Sequence, residues 1–149
     1  MTVEHTRRPK LRSAALAALA LVAVISTATG CTHRELGGRS QALINSERAR
    51  RGLPELTWDD SAGQKAQAWA EQLAATKTLS HSRLVDGITG DWTSLGENVG
   101  FNNSVDGAHA GFMNSPKHRA AILSGDYSSV GIGVAENGGL VYVVQVFRG

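Results

Sequence analysis

Beyond residue 40 the apolar positions first recur at helical spacing and then, near the end of the chain, alternate at strand spacing. From Ser40 to Arg51 a serine start, good helix formers and a following Gly52 predict a first helix, after which Leu53-Pro54 turns the chain. Ala62, Ala66, Trp69, Ala70 and Leu73 fall three and four residues apart, which predicts a second helix from Asp60 to about Thr76, with Asp60 as its cap and Trp58 and Trp69 in the core. Residues 77–103 hold no sustained period and read as a long loop passing into a strand around Val99 to Phe101; loops of that length in compact domains are commonly functional. Ser104 to Asn114 predicts a third helix with Val105, Ala108 and Phe112 inward, although Gly107 and Gly111 weaken it. Ser115 suits a cap and Pro116 a first helical residue, so a fourth helix runs through Leu123 with His118 in its first turn. Finally, Ser128 to Ala135 and Leu140 to Phe147 flank Glu136-Asn137-Gly138-Gly139, a hairpin signal. Helices first and a hairpin last predict an α+β domain with an antiparallel sheet.

The beginning of the chain follows a different pattern. Arg7, Arg8, Lys10 and Arg12 precede Ala14 to Ile25, an uncharged apolar run too short for the roughly 20 residues of a membrane-spanning helix. A basic start, a short apolar core and the small residues Ser26 to Gly30 predict a secretory signal over residues 1–30. Arg7-Arg8 leaves both the Sec and the twin-arginine export routes open. Cys31 is the single cysteine, and Ala28-Thr29-Gly30-Cys31 resembles a bacterial lipobox, with alanine where leucine is commonest. That resemblance implies cleavage before Cys31 and acylation of its thiol by chains such as palmitate, which anchor at about 0.8 kcal/mol per buried methylene. Residues 31–39 then form a short tether, at most about 29 Å of extended chain beyond the anchor, and residues 40–149 the domain. The expected location is extracytoplasmic and lipid-anchored to the cell membrane, or secreted if Cys31 is not acylated.

The 149 residues suit one domain, and 42% hydrophobic content supports a packed core. The sequence pI near 9.0 belongs to the leader: from Cys31 onward 11 basic residues face 12 acidic ones, so nothing points to nucleic acid. With no second cysteine, no disulfide braces the exported domain.

Familiar catalytic signatures are missing: no zinc-binding HExxH helix, no GxSxG elbow, no phosphate loop, and no cysteine nucleophile within the domain. The candidates are His81, just after the second helix, Glu97, late in the long loop, and His118, whose place at a helix start favours the neutral imidazole. Two neutral imidazoles and a carboxylate could bind a zinc-like ion or pair as a base with its orienting acid. Their separation along the chain leaves open whether they meet or each makes only a local hydrogen bond. His33 in the tether and His109 in the third helix read as solvent-exposed or ordinarily packed.

Several short motifs in order then suggest a family: Asn45-Ser46-Glu47-Arg48, Leu56-Thr57-Trp58-Asp59, His81-Ser82, Gly96-Glu97-Asn98-Val99, Asn114-Ser115-Pro116-Lys117-His118-Arg119 and Val130-Gly131-Ile132-Gly133-Val134, closing with Val144-Gln145-Val146-Phe147. Over residues 40–149 this resembles the CAP superfamily of cysteine-rich secretory proteins, antigen 5 and pathogenesis-related proteins, with bacterial SCP-like domains. The resemblance implies a three-layer α-β-α sandwich with a central antiparallel sheet, and a cleft on which His81, Glu97 and His118 converge. It also implies that a divalent metal such as zinc can bind the two histidines. Ser115 stands where relatives commonly carry a second acid, and Phe112 where they carry tryptophan, which counts against a mechanism needing two carboxylates.

The favoured expectation is a binding module. Its ligand-binding set would be His81, Glu97, Ser115 and His118, holding a lipid, glycan or protein of the envelope, with acylated Cys31 as the membrane contact. The alternative is a metal-assisted hydrolase in which His81 and His118 hold zinc and Glu97 activates water.

Overall fold

The computed structural model describes residues 33–149, so the signal segment and Cys31 lie outside the described residues. Helix α1 covers residues 33–49. It is followed by β1 (Thr57–Trp58), α2 (Asp60–Thr76), β2 (Leu95–Asn102), α3 (Val105–Asn114), α4 (Pro116–Leu123), β3 (Ser129–Asn137) and β4 (Leu140–Arg148). The strands form one sheet in the order β1-β3-β4-β2. Both β2 and β3 run antiparallel to β4. Asn137 pairs with Leu140, leaving Gly138-Gly139 at φ 61° and 79° as a two-residue turn whose left-handed backbone follows the twist of the strands.

Alternation along β4 sorts the core into two layers. Tyr142, Val144 and Val146 pack on Ala62, Ala66, Ala70 and Leu73 of α2. Val141, Val143 and Phe147 face the other way, onto Ile44 of α1, Val105, Ala108 and Phe112 of α3, and Ile122 of α4. The expected α-β-α sandwich is therefore present. On β3 the central positions of the α2 side are Gly131, Gly133 and Ala135. A Cβ at Gly131 would collide with the backbone at Ala62 and Gly63, and one at Gly133 with the backbone of Ala66, so α2 lies directly on the strand.

Several local expectations need correction. The first helix is already formed at residue 33, the first described residue, so residues 33–39, read as tether, are helical; Gly37 and Gly38 do not break them, because Leu36 packs on the core and Gly37 lies against Trp58. His33, read as solvent-exposed or ordinarily packed, takes the second course: it is half-buried, with Nδ1 3.1 Å from Gln67 Nε2. The sheet is mixed, because two-residue β1 pairs parallel with Ser129 and Val130. The cap of α2 is Asp59: its carboxylate accepts from the Ala62 N–H and the Ser61 hydroxyl, each at 2.8 Å, and from Arg148 Nη1 at 2.6 Å. Burial pushes this carboxyl up, but those three donors outweigh it and hold it below its ordinary value. Trp58 and Trp69 are half-buried at the core margin because each indole N–H reaches a polar partner near the surface, Asp60 Oδ1 at 3.0 Å and the Ser80 carbonyl at 2.9 Å.

The α2–β3 approach yields a paired expectation. Gly133→Ala should lower stability to chemical denaturation by about 1–3 kcal/mol through overpacking, whereas Gly38→Ala, with open space around it within α1, should raise it by about 0.5–1 kcal/mol. Equal effects would mean that α2 does not depend on bare strand positions.

Candidate functional site

Edge strand β2 organises the candidate site because neighbouring residues point to opposite faces of the sheet. Glu97 projects on the α2 side and its side chain is 3% exposed. One oxygen accepts the Ser82 N–H at 2.9 Å and lies 2.8 Å from His81 Nδ1; the other accepts the Ser82 hydroxyl at 2.6 Å. The carboxylate thus pins the long loop after α2 to the sheet edge. The pairing through Nδ1 fixes the His81 ring and leaves Nε2 as its outer nitrogen, on a side chain that is 65% exposed.

Asn98, on the other side of β2, is buried and donates to the His118 carbonyl at 3.1 Å and to Gln145 Oε1 at 3.0 Å. Gln145 in turn donates to the Ser40 hydroxyl at 3.1 Å, so a buried polar chain runs from α1 through β4 and β2 to the first turn of α4. The His118 ring meets Phe112 edge to face, with centroids 5.1 Å apart. Burial lowers the pKa of His118, and the nearby charge of His81 lowers it further. The neutral form expected from its position at a helix start is thereby reinforced.

The structure joins His81 and Glu97 directly and brings His118 within the electrostatic reach of His81. Ser115 precedes α4 as expected, but its hydroxyl makes no capping hydrogen bond; α4 begins instead with Pro116, while the Ser115 carbonyl accepts the Arg119 N–H at 2.9 Å. In the sequence Ser82, Asn98 and Gln145 figure only within the family motifs and Ser40 only as a helix start; their part in the site comes from the structure. Gln145 carries a signal, since it is a lone amide within the buried stretch Val141 to Phe147.

The donor set does not fit a firmly held zinc ion. Among the described residues no three His, Cys, Asp or Glu side chains gather as ligands, and both Glu97 oxygens are already engaged. Two imidazoles fall short of the three or four protein ligands that zinc usually takes.

A cavity of about 470 Å³ adjoins the pinned loop, lined by Lys65, Ala68 and Trp69 of α2 with Ser82, Arg83, Asp86 and Gly87. Ser82 is common to the cavity wall and to the Glu97 carboxylate. A larger hollow of about 730 Å³ lies between α1 and β1 and includes none of these site residues; of the two, the smaller shares a residue with the site.

If the charge of His81 reaches His118, His81→Gln should raise the His118 pKa toward an ordinary imidazole, as followed by NMR titration of its ring protons. An unchanged midpoint would mean that burial acts alone.

Known proteins provide an independent comparison. The chain is 35% identical over 103 residues to a Bacillus subtilis protein named uncharacterized membrane protein YlbC, covering 62% of this chain and 29% of that protein. Among solved structures, an extracellular protein containing a SCP domain from Bacillus anthracis superposes with a TM-score of 0.67 at 26% identity, over 78% of this chain and 41% of that one. A cysteine-rich secretory protein from Staphylococcus aureus shares the fold at a TM-score of 0.64 and 19% identity, over 99% of this chain and 43% of that one. The chain spans less than half the length of each of these three proteins. Residues 41–147 match the sequence profile of the cysteine-rich secretory protein family, and with the motifs, the sandwich and the His81–Glu97 pair now in view, the chain belongs to the CAP family.

Proposed function

We propose that this CAP domain is a binding module of the cell envelope, held at the membrane through acylated Cys31, which takes a lipid, glycan or protein ligand beside the pinned loop. The observation that carries this reading is the use already made of Glu97. It is buried, it accepts hydrogen bonds from Ser82 at both oxygens, and it orients His81, so this carboxylate is not free to activate water. Ser115, at the position where a second acid would stand, supplies no charge. What would face a ligand is then His81 Nε2, neutral His118, and a neighbouring cavity floored by Ala68 and Trp69 with Lys65, Arg83 and Asp86 at its rim. An apolar floor with a few placed polar groups suits binding. The extracellular and membrane descriptions of the Bacillus relatives support the envelope setting.

The oriented His81 imidazole favours one second reading, hydrolysis with Nε2 as general base. A thermal-shift screen of the purified full chain against envelope lipids and glycans separates the two. Binding predicts a ligand that raises the melting temperature by mass action, by about 2.7 kcal/mol of stability at a hundredfold excess over Kd, with the shift lost in His118→Ala. No shift from any ligand would overturn the binding reading, and breakdown of the added compound would favour hydrolysis.

The anchor has its own test. Cys31→Ser should move the protein from the membrane fraction to the medium, and continued membrane retention would refute acylation at this residue.

A further inference from the structure

His109 belongs to neither the site nor any hydrogen-bond network. It lies in the middle of α3, is only 7% exposed, and neither ring nitrogen meets a hydrogen-bond partner among the described residues. A neutral imidazole always carries one N–H, so seating it here leaves a buried donor unsatisfied, at a cost of about 1–3 kcal/mol. Protonation would add a second donor and a full charge to the same dry position. That is much worse.

Charges surround the ring at its margin without touching it. Glu47 and Arg39 reach it from α1, and Asp106 from the preceding turn of α3. The other elements packed on α3, namely α4, β2 and β4, add no charged group to that set. Two of the three form the exposed clamp between α1 and α3, where Arg39 Nη2 meets Asp106 Oδ1 at 2.5 Å. Glu47 is held by Arg50 and Arg51, at 2.7 Å and 2.6 Å. An imidazolium displaced from the interface would therefore emerge beside two carboxylates, and at Asp106 it would compete with Arg39 for the clamp.

We propose that His109 makes the docking of α3 against α1 an acid-released latch, in which the neutral ring is seated in the interface and the protonated ring is expelled toward Asp106 and Glu47. Burial lowers the pKa of the seated ring, with Glu47 and Asp106 opposing the shift only in part. A base whose pKa is lower in the docked state contributes docking stability that is complete above its ordinary value of 6.5 and is lost as pH falls below it. The latch does not depend on the binding reading, but it would reach that site. Phe112, on the same helix, packs over Gly100 of β2 and against the His118 ring, so release of α3 would unseat the aromatic neighbour of His118.

Hydrogen exchange on the full chain tests the latch. After correction for intrinsic rates, amides of α3 should lose protection by about tenfold or more between about pH 7.5 and about pH 5, while amides of α2 hold theirs. His109→Phe, which keeps the ring shape without a titrating group, should abolish that difference, and His118→Phe should not. Parallel behaviour of α3 and α2 at both pH values, or an unchanged acid response in His109→Phe, would overturn the proposal. Should His109→Phe fail to fold, the wild-type ratio of α3 to α2 protection decides alone. A ligand screen that finds nothing leaves this readout untouched.

Discussion

The alternation of two neighbouring side chains on an edge strand supports the rest of the site. Glu97 and Asn98 leave β2 on opposite faces of the sheet, one fastening the long loop through Ser82 and His81, the other fastening α4 through the His118 carbonyl. Because β2 is itself paired along its length to β4, a rigid element fixes the two histidine-bearing segments, which have no direct covalent neighbourhood. A one-residue slip of that register would send Glu97 into the layer beneath α4 and Asn98 toward the loop, undoing both attachments at once.

Such an arrangement needs polar groups deep in the fold, and this domain satisfies nearly all of them. Gln145, Asn98 and Ser40 bond to one another in sequence, so none is left bare. Arg48 is buried without a carboxylate partner, but it donates to three carbonyls, those of Pro54, Ile122 and Ser124. Two of these belong to the end of α4, where a cation is favoured by the helix dipole. Arg48 thus ties α1 to the same short helix whose first turn carries His118. His109 is the exception in the set, and its lack of partners marks the α1–α3 contact as the part of the core sensitive to protonation.

The absence of a disulfide within the domain puts weight on packing, and the sheet meets it by asymmetry. On one face glycine and alanine of β3 let α2 lie against the backbone; on the other, Val130, Ile132 and Val134 interlock with three helices. The alternation in Val130-Gly131-Ile132-Gly133-Val134 is the physical record of those two distances, close on one side and wide on the other.

Local chemistry was readable from the chain by itself. Periodicity gave α2, α3 and the closing hairpin nearly to their ends, because each rests on spacing, caps or turn residues that act within a few positions. The neutral bias of His118 followed in the same way from its place at a helix start. Tertiary contact decided the rest. Residues 33–39 join the first helix because Leu36 and Gly37 find the core and Trp58, β1 exists only by pairing with β3, and Asp59 rather than Asp60 caps α2 in company with Arg148. The meeting of His81 with Glu97, the polar chain behind His118 and the unpartnered burial of His109 are likewise invisible in one dimension, since each joins residues through space, where hydrogen bonding and desolvation depend on neighbours that the linear order does not name.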